Sequence, residues 1–197
     1  SPAYWASRLR QAQAALLARA VQRGLDGLVI TEHHHQWTED ELARLKEESG
    51  IQGFVLLAGF ECTTLGGDVL IYGLPAEATP YFERQQEPKA VIDMAHRMGG
   101  ICVGAHPTRS GMGFDMRIRD LALDAIEVES TNLKAHEQRL AKKLAENLDI
   151  LPLAASDAHH LDEVGAKWIE FDDVIQSMAN LCDGIRKGRF RMQGNTM

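Results

Sequence analysis

Short apolar runs alternate along the chain with longer segments whose apolar residues recur at helical spacing. The runs predict β-strands at 26–32, 53–61, 68–74, 101–105, 125–129, 150–155 and 167–171. The helical spacing predicts α-helices at 1–24, 38–50, 88–98, 133–147 and 172–187, with a short helical stretch at 116–122. Because strand and helix alternate nearly throughout, the pattern indicates an α/β fold with a mainly parallel sheet and helices outside it.

Local signals mark several element boundaries. Thr38 and Glu41 have the spacing of a capping box, and Gly50 ends the helix that they begin. A tight turn at Gly66 and Gly67 predicts that 68–74 is an antiparallel partner or neighbour of 53–61. Segment 107–115 is rich in Gly and Ser and predicts a loop.

Length and composition limit the possible classes of protein. With 197 residues, 45% of them hydrophobic, we expect one domain over 1–197. Three widely spaced cysteines argue against a disulfide framework, and no signal peptide or membrane-spanning run is evident, so we expect a cytoplasmic protein without a membrane partner. A net charge of −7 disfavours a stable nucleic-acid partner.

Side chains that bind metals follow four of the predicted strands. These candidate ligands are His33, Glu61, His106, Asp157 and His159. In a parallel α/β barrel the carboxyl ends of the strands meet at one mouth, where the active site lies. The pattern therefore predicts a metallohydrolase.

Each candidate also has a structural interpretation. A carboxylate at Glu61, after an apolar strand, is costly unless it binds metal, caps a helix or forms a salt bridge. Asp157 and His159 form either a two-ligand motif or a polar turn. Pro107 is expected to hold His106 extended, as a ligand or a hydrogen-bonded histidine. Arg109 either contacts a phosphate or is a solvated loop residue.

Other polar residues near the strand ends have more than one possible role. His33 is the preferred ligand of its three-histidine run; His35 is possible by parity, and His34 is expected to face outward. Glu127 and Glu129 are expected to face inward, toward a metal, Arg109, Arg117 or a structural salt bridge. His160 is expected to be exposed or to support a ligand, and His96 and His136 to be structural. Imidazole with carboxylate suits Zn, Mn or Fe.

In this order, the residues resemble the PHP (polymerase and histidinol phosphatase) family of metal-dependent phosphoesterases. The similar segments are 29–33, 59–61, 104–107, 126–128 and 156–160, and the tail 185–190 resembles the usual end of such domains. Together the main segments span about residues 25 to 165. The Ala-His-Pro and Ser-Asp-Ala-His-His elements are the most specific of them.

The resemblance implies a distorted (β/α)7 TIM-like barrel with two or three divalent ions, Mn, Fe or Zn. It makes His33, Glu61, His106, Asp157 and His159 the ligands, with Glu61 as the bridge, and Arg109 a contact to the substrate phosphate. No catalytic side chain is assigned, because the resemblance implies attack by a metal-bound hydroxide.

Two departures from the family pattern matter. The family opens with a strand that ends in an H-x-H motif, and this sequence has no histidine before His33. Glu32 also stands where relatives usually have Asp. We expect that the first barrel strand is missing from this chain, which would then be inactive or weakly active. Alternatively, His33 and His35 replace the motif, as in amidohydrolase barrels.

The leading hypothesis is therefore a phosphoesterase acting on a small phosphorylated metabolite, a nucleotide or a short phosphodiester. One alternative is an amidohydrolase-like C–N hydrolase, although no strand-end lysine is placed to become a bridging carbamate. Another is a degenerate, non-catalytic metal-binding module. Substrate, metal identity and oligomeric state are open at this stage.

Overall fold

A computed structural model of the chain describes the backbone of residues 2–194 and the side chains of residues 12–194. The helices are α1 (Pro2–Gln22), α2 (Glu39–Ser49), α3 (Pro88–Arg97), α4 (Ala135–Leu148) and α5 (Met178–Arg186). The strands are β1 (Gly27–His33), β2 (Val55–Thr64), β3 (Gly67–Tyr72), β4 (Ile101–Gly104), β5 (Ala125–Glu129), β6 (Leu151–Ala154), β7 (Lys167–Phe171) and β8 (Phe190–Gly194). Short 3₁₀ helices occupy Ala76–Tyr81, Met116–Asp120 and Leu161–Glu163.

Six strands form a curled half-barrel sheet in the order β1-β2-β3-β4-β5-β6. Its pairs are parallel except at β3, which runs antiparallel to both β2 and β4. Within residues 2–194 the sheet stays open, because β7 and β8 pair with each other in a separate antiparallel sheet. The predicted mixed α/β fold is confirmed at this level, and closure into a complete barrel is not seen in the described part of the chain.

Apolar residues cover both faces of the curled sheet. On the convex face, α3 and α4 pack against alternate residues of β2 to β5, such as Phe60, Ile71 and Ile126. On the concave face, residues such as Val103 and Leu153 pack with β7, β8 and α5. α1 and α2 cover β1 and the start of β2. Most of the polar groups that face the concave side therefore lie at the strand ends, where the apolar packing stops.

The largest differences from the sequence prediction are at β2, α5 and β8. β2 continues three residues past Glu61, because Cys62 to Thr64 pair with β3 in a hairpin. α5 begins at Met178, not at 172, since the Ser177 side chain accepts from the Asn180 amide and caps it. β8 was not predicted. The capping box at Thr38 and the antiparallel pairing of β2 with β3 are confirmed.

The hairpin between β2 and β3 is joined to the segment that follows β4. The Asp115 amide donates to the Gly66 carbonyl, and Arg117 donates to the Leu65 carbonyl. The Phe114 ring packs on Gly67, where a Cβ would lie only 2.5 Å from a ring carbon. Glycine is needed there because its φ of +133° also disfavours a side chain. These contacts hold the ends of β2, β3 and β4 together.

Candidate metal centre

Two candidate ligands lie opposite each other at the ends of β1 and β2. The strands pair in parallel with His33 in register with Glu61. The His33 Nδ1 atom lies 3.4 Å from Glu61 Oε2. Its imidazole is about half exposed, whereas the Glu61 carboxylate is almost fully buried. The parallel register thus brings together two residues that are 28 positions apart.

Glu61 also faces the histidine that follows β4. Its other oxygen, Oε1, lies 3.4 Å from His106 Nε2. The carboxylate therefore stands between two imidazoles, one to each oxygen. Both separations exceed the usual 2.7–3.2 Å of a hydrogen bond.

Asp68 completes a buried cluster that the sequence analysis missed. Its Oδ2 atom lies 3.7 Å from His106 Nε2. One ligand atom from each of Glu61, Asp68 and His106 lies within 4.8 Å of the others, and all three residues are buried. We call these three residues the buried triad. Two acidic oxygens and an imidazole nitrogen are a donor set that suits a divalent transition metal.

The hairpin register explains why Asp68 reaches this site. Asp68 is opposite Thr63, and Leu70 is opposite Glu61. Opposite residues of an antiparallel pair share a face, and so do residues two apart on one strand. Asp68 therefore shares the face of Glu61. The turn at Gly66 and Gly67 predicts the hairpin, but only the exact register shows which face of the sheet Asp68 occupies.

Burial makes the triad electrostatically unfavourable without a cation. The pKa of Asp68 is raised, first by its burial and then by the charge of Glu61. Burial lowers the pKa of His106, but the contact with the Glu61 carboxylate and the charges of Glu127, Glu61 and Asp157 outweigh burial and raise it. Buried like charges of this kind are stabilised by a bound metal.

His106 presents one of its two ring nitrogens to the triad. Its Nε2 atom faces Glu61 and Asp68, whereas its Nδ1 atom is buried and has no hydrogen-bond partner among the described residues. Its φ of +28° corrects the expectation that Pro107 holds it extended. The physical reason is that its backbone N–H donates to Glu127 Oε2 at 2.9 Å, which turns the main chain inward. The residues present therefore fit a divalent ion at the triad.

Asp157 and His159 form a second group, joined by Asn132. The Asn132 amide donates to the Asp157 carbonyl oxygen at 2.8 Å and to its Oδ2 at 2.6 Å. Asp157 adopts a left-handed φ of +47°, which this double contact stabilises. Because the Asp157 carbonyl lies 3.0 Å from His159 Nδ1, that nitrogen carries the proton and Nε2 is the atom available to a metal.

Asp157 and His159 differ in how close they lie to the buried triad. The charge of Asp157 raises the pKa of both His106 and Glu127, so Asp157 lies within electrostatic range of the triad. The exposed His159 ring contacts Asp157 and Asn132 but no member of the triad. The structure thus assembles His33, Glu61 and His106, adds Asp68, sets Asp157 nearby, and leaves His159 at the rim.

Arg109 lies on a loop that α4 holds in place. Thr108 Oγ1 donates to the Glu137 carbonyl at 2.7 Å, and the Ser110 amide donates to Glu137 Oε1 at 2.9 Å. Bonds to two backbone N–H groups, Lys134 and Ser110, lower the pKa of Glu137. In the described part of the chain, the Arg109 guanidinium forms no hydrogen bond or ion pair. Its backbone is therefore fixed while its cationic group stays available.

The other glutamates and arginines have separate roles. Glu129 forms salt bridges with Lys142 at 2.6 Å and Lys167 at 3.0 Å, so it pairs with neither of the arginines proposed for it. Arg117 pairs with Glu87 and Asp115 and supports the hairpin.

The remaining histidines lie in varied surroundings. His34 was expected to face outward, but it is half-buried: its Nε2 accepts from the Thr63 amide at 3.0 Å, and its Nδ1 lies 3.2 Å from the Phe82 carbonyl. Its φ of +53° is left-handed, and its ring lies against the main chain at Thr63 and Phe82. His35 is exposed, and so is His160. His96 binds Asp124 at 2.8 Å, as expected of a structural histidine.

Comparison with known proteins places this arrangement among related folds. The PHP-associated family (PHP_C) matches residues 135–190. PsfC from Pseudomonas syringae is 20% identical, with a TM-score of 0.73, over 95% of this chain and 84% of PsfC. A search of curated proteins finds no match to this chain.

Two further solved structures are similar at lower identity. A Bifidobacterium adolescentis protein assigned as a metal-dependent phosphoesterase is 14% identical, with a TM-score of 0.54, over 75% of this chain and 82% of that protein. The lesion-specific endonuclease EndoQ from Pyrococcus furiosus is 14% identical, with a TM-score of 0.59, over 90% of this chain and 52% of EndoQ. These likenesses show a shared fold, and with the family match they confirm the predicted resemblance to PHP proteins.

The described part of the chain contains no helix that is long and apolar enough to cross a membrane.

Proposed function

We propose, from this relation to the PHP family and from the buried triad, that the chain is a metal-dependent phosphoesterase domain. Its substrate is a small phosphorylated metabolite, a nucleotide or a short phosphodiester. The observation that carries the proposal is Glu61, whose two oxygens face His33 and His106 at 3.4 Å each while Asp68 closes the same buried cluster. We also propose that the curled sheet is the greater part of a distorted (β/α)7 barrel.

The proposed ligands divide into two groups. Glu61, Asp68 and His106 would hold one ion, and His33, beside the other Glu61 oxygen, would be a further ligand. Asp157 and His159 Nε2 would serve a neighbouring ion, and Asn132 would support them. Bound divalent ions, Mn, Fe or Zn, would supply positive charge to the phosphate and lower the pKa of a water.

The protein's own groups would bind and orient the ester. Arg109 is held on a fixed backbone with its guanidinium available, and its planar fork suits the oxygens of a phosphate. The ligand-bearing residues lie at strand ends beside a packed apolar face. The net charge of −7 opposes tight binding of long nucleic acid and supports a small substrate.

The test is hydrolysis with added Mn²⁺, Fe²⁺ or Zn²⁺ of p-nitrophenyl phosphate, bis-p-nitrophenyl phosphate, an amide panel and a DNA duplex carrying an abasic lesion. We expect turnover of one or both phosphate esters, at a low rate because no H-x-H motif precedes His33 in this sequence. Asp157→Ala is expected to reduce it at least about 100-fold without unfolding the protein, because a metal ligand is lost. Asp162→Ala is the matched control, because that carboxylate is almost fully exposed.

The other outcomes are informative. Cleavage of amides alone would support an amidohydrolase-like C–N hydrolase. Bound metal without turnover of any substrate would contradict the phosphoesterase proposal and favour a non-catalytic metal-binding module. Phosphatase activity that is unchanged in Asp157→Ala would contradict the assigned site.

A further inference from the structure

Glu127 is a buried acidic residue that is not among the metal ligands proposed above. It lies in the middle of β5, and only 2% of its surface is exposed. Its register partner on β6 is Leu153, and its neighbour two residues earlier is Ala125. Both belong to the apolar core of the concave face. A carboxyl group in such surroundings is costly unless something compensates it.

The hydrogen bond that Glu127 makes points to the metal centre. Its Oε2 accepts from the backbone N–H of His106 at 2.9 Å. β4 ends at Gly104, and Pro107 has no N–H, so the His106 amide lies where regular strand pairing has stopped. At φ +28°, His106 needs an acceptor on the inner side of the sheet, and Glu127 supplies it.

Glu129, two residues along the same strand, provides a contrast. It is paired with Lys142 and Lys167, and its side chain is 19% exposed. The negative charge of Glu129 is therefore balanced by two lysine ammonium groups. Glu127 has no ion pair with Lys or Arg among the described residues, and its contact is to the main chain of a proposed ligand.

We infer that Glu127 is a positioning residue: its carboxyl group holds the main chain of His106 so that imidazole Nε2 faces Glu61 and Asp68. This inference rests on the metal centre in the proposed function. The neighbouring bond from the Ala105 amide to the Asp68 carbonyl, at 2.9 Å, fixes the other side of the same turn. Loss of the Glu127 acceptor frees the turn and misdirects the imidazole.

The test compares Glu127→Met with Glu127→Gln in the metal-free chain and during titration with Mn²⁺ by calorimetry. Asp68→Asn identifies which binding event belongs to the triad. Glu127→Met removes the acceptor, so we expect Mn²⁺ affinity at the triad to fall about 10- to 100-fold, as for other residues that orient a ligand. Glu127→Gln keeps an acceptor oxygen and should stay within about threefold of wild type.

Stability provides a readout that separates positioning from simple structural support. A methionine suits the apolar surroundings but leaves the His106 N–H without its acceptor. Because these two effects oppose each other, metal-free Glu127→Met should unfold at a denaturant concentration close to that of wild type while binding Mn²⁺ less well. The matched control Glu129→Gln should lose stability and keep its Mn²⁺ affinity. If the methionine does not fit, Glu127→Ala removes the same acceptor with a smaller side chain.

Two results would overturn the inference. One is wild-type Mn²⁺ affinity in folded Glu127→Met or Glu127→Ala, and the other is an equal loss in Glu127→Gln, which would assign the effect to charge. The phosphoesterase proposal fails separately, if wild-type protein binds Mn²⁺ but hydrolyses no ester. A wild-type chain that binds no Mn²⁺ would contradict both.

Discussion

At the scale of single residues, the Asn132 side chain holds Asp157 in place. One amide group contacts both the main chain and the carboxylate of Asp157, at 2.8 and 2.6 Å. It thereby fixes a residue whose φ is +47° and whose carbonyl orients His159. Residues that orient metal ligands in this way commonly affect affinity nearly as much as the ligands do.

Asn132→Ala should therefore weaken Mn²⁺ binding about 10- to 100-fold and lower the free energy of unfolding by about 1 to 3 kcal/mol. Calorimetric titration and urea unfolding measure the two effects. Asn180→Ala is a suitable control, since Asn180 makes a comparable hydrogen bond to the Gln176 amide at the start of α5. Wild-type Mn²⁺ affinity in Asn132→Ala would refute the role given to this amide.

Residue identity at the centre was only partly predictable. His33, Glu61 and His106 are visible in the sequence because each follows an apolar run, and the structure gathers them. Asp68 follows a glycine turn instead, and its position depends on the hairpin register. A shift of one residue would turn it to the opposite face, so spacing alone does not reveal it.

At the scale of elements, Glu129 connects three parts of the fold. It lies on β5 and pairs with Lys142 on α4 and Lys167 on β7. Burial raises its pKa, but the two ammonium groups outweigh burial and the pKa of Glu129 is lowered. A carboxylate with a lowered folded pKa adds stability above its unfolded pKa, and that stability is lost as the pH falls through the folded value.

Glu129→Gln should accordingly be less stable than wild type by about 1 kcal/mol at neutral pH, since these pairs are partly exposed. The difference should be smaller at about pH 3, below the ordinary Glu pKa of about 4.3, than at neutral pH. Urea unfolding of both proteins at the two pH values measures this, and other titrating groups cancel in the comparison. An equal difference at both pH values would be inconsistent with the ion pairs.

Elements were predictable where periodicity and end signals agree. α2 has both its capping box at Thr38 and a glycine at Gly50. α5 shows the opposite case, because helical spacing over 172–187 ignored the cap at Ser177. β8 was missed because only two apolar residues, Phe190 and Met192, alternate there with polar residues, which is too short a pattern to identify a strand.

At the scale of the whole molecule, the curled sheet turns separate strand ends into one site. The parallel pairs β1-β2, β4-β5 and β5-β6 send their carboxyl ends the same way, and the hairpin inserts Asp68 between them. The α/β class follows from the alternation of elements. How far the sheet closes depends on strand pairings between distant segments, which the local pattern does not specify.

Anomalous X-ray scattering from crystals soaked in Mn²⁺ tests the central claim most directly, because it gives the position and the number of bound ions. We predict a peak within coordination distance of Glu61, Asp68 and His106, and a second between Glu61 and Asp157. Mn²⁺ found only at exposed carboxylates elsewhere, or no peak at the buried triad at saturating Mn²⁺, would contradict the metal centre and the function proposed from it.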